Sequence, residues 1–285
     1  MSALDPKNRR NLTLRVASAV VLFPFAVWLT YVGGFPFALL AGTASAIAAA
    51  ELVLMFGAIG VAEGFGVAVA GLVPFVAAWE RSGDLLPGWA WLALAGAIVV
   101  LFVLFLFRRG PLETVPRSMA VVTLSWLYCG LLLASLVGLR LRFDVSWVIL
   151  AFVVTWGNDT FAYFAGHTFG RHKLMPRISP AKTWEGFVGG AVGSVICALG
   201  ARAVLPGFER ELSVGVALAV GAGGAVLGPL GDLAESMVKR AAGVKDSSRI
   251  IPGHGGLLDR IDALLFVAPW VYVCAAYLRT LQPGP

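Results

Sequence analysis

Residues 231–262 read GDLAESMVKRAAGVKDSSRIIPGHGGLLDRID, a charge-dense run in an otherwise very apolar chain. The run holds Asp232, Glu235, Lys239, Arg240, Lys245, Asp246, Arg249, His254, Asp259, Arg260 and Asp262. Apolar stretches flank it on both sides, Ser213 to Leu230 before and Ala263 to Leu278 after. That arrangement reads as a polar active segment held between two membrane helices, where ionisable groups are costly and usually functional. A plain solvated loop would need neither both signs of charge at helical spacing nor a Gly-rich turn between them.

The spacing has chemical content. Asp232, Glu235, Ser236 and Lys239 stand at i, i+3, i+4 and i+7, one stripe of a helix, and Asp259 and Asp262 share a face at i and i+3. Between them Pro252-Gly253-His254-Gly255-Gly256 forces a turn and allows close backbone approach. With the preceding span closing at Gly231, Asp232 is expected at one helix end and Asp259 at the start of the next, facing each other. Carboxylate oxygens suit Mg²⁺, which is commonly held by one or two carboxylates plus substrate phosphates. The neighbouring Lys and Arg side chains suit those phosphates. The combination points to phosphoryl or nucleotidyl transfer.

The string from Ser236 to Asp262 resembles the signature of phosphatidate cytidylyltransferases, also called CDP-diglyceride synthases. Its fixed positions are Ser236, Lys239-Arg240, Lys245-Asp246, Pro252, His254-Gly255-Gly256, Asp259-Arg260 and Asp262, and none departs from the pattern. A second block, Ser179-Pro180-Ala181-Lys182-Thr183-Trp184-Glu185-Gly186, is similar to another motif of the same family. Together the two blocks cover only a minority of the chain.

Composition sets the class. Of 285 residues 59% are hydrophobic and 13% charged, against about 25% charged in a soluble domain. This composition implies an all-α polytopic membrane protein, a single transmembrane domain over 1–285. Residues 1–144 supply mostly scaffold, and 145–285 carry the motifs. The net charge of +6 is spread between apolar spans, which favours a basic membrane face over nucleic-acid binding. Cys129, Cys197 and Cys274 lie far apart within apolar spans without metal-site spacing. The basic N-terminus precedes an apolar run long enough to span, so it reads as the first helix rather than a cleaved signal.

About nine transmembrane spans are expected, near 16–34, 37–57, 64–79, 86–107, 118–139, 145–165, 186–205, 213–231 and 260–278. With the N-terminus cytoplasmic, sixteen of the 22 Lys and Arg residues fall on the cytoplasmic side, as the positive-inside bias requires. Arg81, Arg140, Arg142, Arg202, Arg210 and Arg279 fall on the other. Both motif blocks then face the cytoplasm, in a membrane of bacterial inner-membrane type.

Asp159 sits within an apolar span beside Asn158, Thr160 and Tyr163, and an acid at that depth usually faces the bundle interior with a partner. After it, Pro176 and Pro180 prevent a long helix through Arg171–Lys182. Gly186/Gly190 and Gly189/Gly193 form GxxxG pairs that permit close helix packing. Pro229 frees backbone groups beside Asp232, tolerable where protein or a watery cavity supplies partners. Glu51, another acid in an apolar run, pairs with a cation or lies at the interface. No Walker A or Rossmann glycine pattern is present.

The resemblance implies the reaction CTP + phosphatidate → CDP-diacylglycerol + pyrophosphate. It implies Mg²⁺ held chiefly by Asp232 and Asp259, with Asp159, Asp246 and Asp262 as further ligand candidates and room for a second cation. Lys239 and His254 join the two acids as catalytic candidates, His254 as an acid on pyrophosphate, a phosphate hydrogen bond or a loop strut. Lys182, Arg240, Lys245, Arg249, Arg260 and Ser179 are the substrate-binding candidates. Expected partners are CTP, phosphatidate and membrane lipid, with a homodimer compatible and no nucleic acid. Two rival readings stay open: a CTP-dependent enzyme of another lipid phosphate or a polyprenol, and a transporter of an anionic solute.

Overall fold

The computed structural model describes residue 20 and residues 23–79, 85–251 and 255–281; His254 lies outside the described residues. The chain is an all-α polytopic membrane protein. Among the described residues eight helices are long and apolar enough to cross a membrane, and one further apolar helix is shorter. In chain order these are α1 (Phe23–Val32), α2 (Gly34–Phe56), α3 (Val61–Trp79), α4 (Gly88–Leu106) and α5 (Leu112–Arg142). They continue as α6 (Val145–Phe169), α7 (Trp184–Val204), α8 (Val214–Ala241) and α9 (Leu258–Leu281). A π turn over Trp126–Leu131 interrupts α5.

Helices α6, α7 and α8 have side-chain caps. Asp144 accepts from Ser146 N at the start of α6, Thr183 from Gly186 N at the start of α7, and Ser213 from Val216 N at the start of α8. Each satisfies a first-turn N–H that has no partner inside its helix.

One span differs from the sequence expectation in a way that matters. The run expected to close at Gly231 continues to Ala241, and Pro229 lies inside α8 without ending it. Asp232 therefore stands within a helix and not at its end. The physical reason is that residues 232–241, DLAESMVKRA, are mostly good helix formers. The helix stops only where Gly243 takes φ 74°, a left-handed conformation that glycine adopts without strain.

A second difference lies between α6 and α7. Lys173–Met175 (β1) and Ser179–Thr183 (β2) form an antiparallel hairpin, pairing Lys173 with Thr183 and Met175 with Ser179. The prolines excluded a helix there, but strands this short show too little alternation to be read as strands.

Packing fixes the site. A core of buried apolar residues runs from Phe37 to Leu278 and includes Trp147, Phe208 and Leu265. α6 and α7 approach to backbone contact: a Cβ added at Gly186 would lie 3.0 Å from Ala162 O, and one at Gly190 3.0 Å from Asn158 O. α8 crosses α9 where a Cβ at Gly231 would lie 2.6 Å from Asp262 O. These crossings bring Asp159, Asp232 and Asp262 toward one another from three helices.

Candidate active site

α6, the hairpin, the start of α7 and the middle of α8 enclose a cavity of about 470 Å³, lined among others by Asn158, Asp159, Tyr163, Lys182, Pro229 and Asp232. Its size is within the range of roughly 300–1,000 Å³ usual for small-molecule sites. Lys182 on β2 crosses it: Nζ lies 2.7 Å from Asp232 Oδ2 and 3.5 Å from Pro229 O. The Thr183 cap fixes the backbone next to Lys182, so the ammonium is held by the hairpin rather than by a free loop. Ser236 Oγ donates to Asp232 Oδ1 at 3.3 Å. Asp232 also lies within Coulombic reach of Asp159 and Asp262. Asn158 is 1% exposed, and neither end of its amide has a hydrogen-bond partner among the described residues. A buried polar group left so costs about 1–3 kcal/mol, and a polar ligand in this cavity would recover it.

A second cluster lies around the start of α9. Lys239 Nζ sits between Asp259 Oδ1, at 2.6 Å, and the buried carboxylate of Glu235. The other Asp259 oxygen accepts from Gly256 N at 2.9 Å, Ser247 N at 3.0 Å and Ser247 Oγ at 3.0 Å. Ser247 Oγ also reaches Glu51 Oε2 at 2.9 Å, and Ser248 Oγ reaches Glu51 Oε1 at 2.6 Å. Glu51, fully buried on α2, further accepts from Leu257 N and Leu258 N at 2.9 and 2.8 Å. It thereby answers the unpaired donors at the N-terminus of α9 with a negative charge. A Cβ at Gly256 would lie 2.7 Å from Glu51 Oε2, so this glycine of the motif is what lets the loop close on the carboxylate.

The predicted site residues thus fall into groups. Asp159, Asp232 and Lys182 share the cavity, with Asp262 electrostatically coupled to the two acids. Lys239 and Asp259 are brought together, but as partners of each other. Asp232 is held by Lys182 and Ser236, and Asp259 by Lys239, Ser247 and Gly256. A cation on Asp259 would have to exchange with one of these donors. Arg240 ties the hairpin to α8, donating to Ile178 O at 3.4 Å and Val244 O at 3.0 Å. Lys245, Asp246 and Arg249 are exposed on the α8–α9 connection, with no side-chain ion pair or hydrogen bond among the described residues. Arg260 is exposed on the first turn of α9, and Ser179 is half-buried at the start of β2.

Sequence reasoning missed several contributors. Glu51 stood out as an intramembrane acid, but its partners Ser247 and Ser248 lie 196 and 197 residues away, and they are hydroxyls rather than a cation. Glu185 accepts from the backbone N–H of Arg171 and His172 and contacts His172 Nδ1 at 2.6 Å, closing the base of the hairpin. Its place in the Thr-Trp-Glu block was the available signal. Asn158 could be recognised only as a polar neighbour of Asp159.

Among the described residues no three His, Cys, Asp or Glu side chains converge tightly enough to form a metal cage. Carboxylates on one cavity beside an unsatisfied amide fit an ion such as Mg²⁺, which completes its shell with water and substrate phosphates.

The model of the cytidylyltransferase family matches residues 13–278. The chain is 33% identical over 291 residues to a phosphatidate cytidylyltransferase of Brucella abortus biovar 1 (strain 9-941), covering 93% of this chain and 94% of that protein. The protein of the same name in Brucella suis biovar 1 (strain 1330) matches with the same figures. One from Staphylococcus aureus (strain COL) is 47% identical over 125 residues, 44% of this chain and 47% of that protein. A match running from before α1 into the last helix, joined to a membrane cavity of acids and lysine, leads to one conclusion: the chain belongs to the cytidylyltransferase family.

Proposed function

We propose that the protein transfers the cytidylyl group of CTP to phosphatidate in the pathway to phospholipids. An oxygen of the phosphatidate phosphate attacks the α-phosphorus of CTP. A new phosphoanhydride bond forms, the bond from the α-phosphorus to the β-bridging oxygen breaks, and pyrophosphate leaves. The observation that carries this reading is the Lys182–Asp232 pair, 2.7 Å apart on a cavity shared with Asp159 and the unpartnered Asn158 amide.

The nucleophile is already an anion, so it needs little help from a base. The harder task is to bring two anions together and to neutralise the leaving group, which positioned charges do. Lys182, released from Asp232, is the cation placed to bind phosphate in the cavity. Lys245, Arg249 and Arg260, exposed around the start of α9, supply further positive charge at its approaches. Asn158 orients whatever polar group satisfies its amide. Asp232, with Asp159 and Asp262 near it, would hold Mg²⁺, with Asp259 joining by exchange of Lys239. When bound, the ion neutralises charge developing on pyrophosphate. His254 keeps its place among the catalytic candidates on sequence grounds alone.

Under this reading the hairpin and the α8–α9 connection lie on the cytoplasmic side of a bacterial inner membrane, where CTP is available. CTP, phosphatidate and surrounding lipid are the partners; a homodimer is compatible, and nucleic acid is not among them. The test uses purified protein in detergent with CTP labelled in its base. Formation of a labelled lipid that requires phosphatidate, with release of pyrophosphate, is the expected outcome. Equal turnover with diacylglycerol would point to kinase-like chemistry, and binding without any lipid product would favour transport.

A further inference from the structure

We propose that a second cavity, in the N-terminal half, binds the phosphate headgroup of an anionic membrane lipid. The cavity measures about 520 Å³ and lies where the end of α2, the start of α3, the connection after α4 and the start of α5 meet. It shares no lining residue with the active-site cavity.

Arg108, Arg109 and Arg117 all line it, and their partners differ. Arg108 Nη1 is committed to Glu63 Oε1 at 3.1 Å, and Glu63, 5% exposed, also accepts from Gly60 N. That pair neutralises itself and fixes the α2–α3 connection. Arg117 lies over the Phe56 ring, 5.1 Å from its centroid, a contact that leaves the N–H edge of the guanidinium free for an acceptor. Arg109 is exposed and has no side-chain partner among the described residues. Glu113, the other acid on the rim, pairs with neither. Two guanidinium groups on one cavity, neither paired with a carboxylate, are suited to phosphate oxygens, which planar N–H forks bind in pairs.

The rest of the cavity selects an amphiphile over a soluble anion. Val53, Phe56 and Val121 give it apolar walls. Leu106, Phe107 and Leu112 beside it are 77%, 79% and 81% exposed, at a helix end where acyl chains would cover them. Free phosphate would use the arginines and gain nothing from those walls. The site is at the active-site end of the bundle, since α2 carries both Phe56 and, just over one turn earlier, Glu51.

The experiment uses the full-length protein in nanodiscs and a photoreactive analogue of phosphatidylglycerol, with cross-linked peptides mapped by mass spectrometry. Cross-links within residues 107–121 are expected, competed by phosphatidylglycerol but not by phosphatidylcholine or inorganic phosphate. In Arg109→Gln/Arg117→Gln that labelling should fall roughly tenfold or more, as expected for losing two basic contacts to an anionic lipid. Arg108 is left in place because its loss would strand buried Glu63. Arg109→Gln alone, at an exposed and unpartnered position, serves if the double variant does not fold. The proposal is overturned by cross-links only elsewhere, by equal competition from phosphatidylcholine, by competition from inorganic phosphate, or by undiminished labelling in the variants.

Discussion

Asp232 and Asp259 carry the same charge in different settings, and their substitutions should separate accordingly. Asp232 faces the cavity and is held by Lys182 and Ser236. Asp232→Asn should reduce CTP turnover by about 100-fold or more, the scale of removing one electrostatic stabiliser, and raise the Mg²⁺ concentration needed, with little change in thermal stability. Asp259 also anchors Ser247, Gly256 and Lys239. Asp259→Asn should therefore lose stability as well as rate, because it leaves Lys239 and Glu235 without their third partner. Turnover against Mg²⁺ and melting in detergent, measured on both variants, check this; equal melting shifts would refute the division. Glu51→Ala strips Ser248 Oγ, Leu257 N and Leu258 N of their acceptor and leaves Ser247 Oγ with Asp259 alone. It should destabilise by about 2–4 kcal/mol, more than Glu51→Gln, which keeps one acceptor oxygen. The sequence could show that Glu51 was out of place in an apolar run. It could not show that hydroxyls from the far end of the chain would close around it, because nothing local to Glu51 depends on them.

At the scale of elements, α8 joins the two clusters: Asp232 lines the cavity with Ser236 bonded to it, and Glu235 pairs with Lys239, which reaches Asp259 on α9. The i, i+3, i+4, i+7 spacing made that stripe legible, and apolar runs located most helices within a few residues. The true end of α8 was not legible, since hydropathy ends with the apolar residues while the hydrogen-bonded helix continues through a polar but helix-favouring segment. The crossing of α8 over α9 depends on Gly231, where a Cβ would meet Asp262 O at 2.6 Å. Gly231→Ala should force the helices apart at the acids, destabilise by about 1–3 kcal/mol as overpacking does, and lower turnover. Gly215 lies on the same helix with nothing within 4 Å of an added Cβ. Gly215→Ala should be neutral or slightly stabilising, since alanine is the better helix former. Similar melting shifts for the two would show that the crossing tolerates a methyl group.

For the whole molecule, side-chain contacts bear on which ends of the helices share a face. Glu51 joins the later part of α2 to the start of α9. Lys182 joins the hairpin to α8, and Arg108 joins the end of α4 to the start of α3. Each of these contacts involves a segment that the Lys and Arg distribution assigns to the cytoplasm. The arginines that weaken that distribution have structural work. Arg140 donates to Thr30 O and Tyr31 O at the end of α1, Arg142 to Ala77 O near the end of α3 and to Leu85 O, and Arg202 to Leu212 O and Glu209 O. Cations that satisfy carbonyls at helix ends are stabilising whichever side they occupy, so they weigh little against the positive-inside bias. In a cysteine-free background, Lys245→Cys should resist an impermeant maleimide on intact cells and react once the membrane is opened. Glu211→Cys, in the exposed α7–α8 connection, should react from outside. Both substitutions are at exposed positions, so folding should be unaffected and the contrast should report orientation. Labelling of position 245 from outside, with position 211 protected, would invert the molecule and remove the active site from the compartment that supplies CTP.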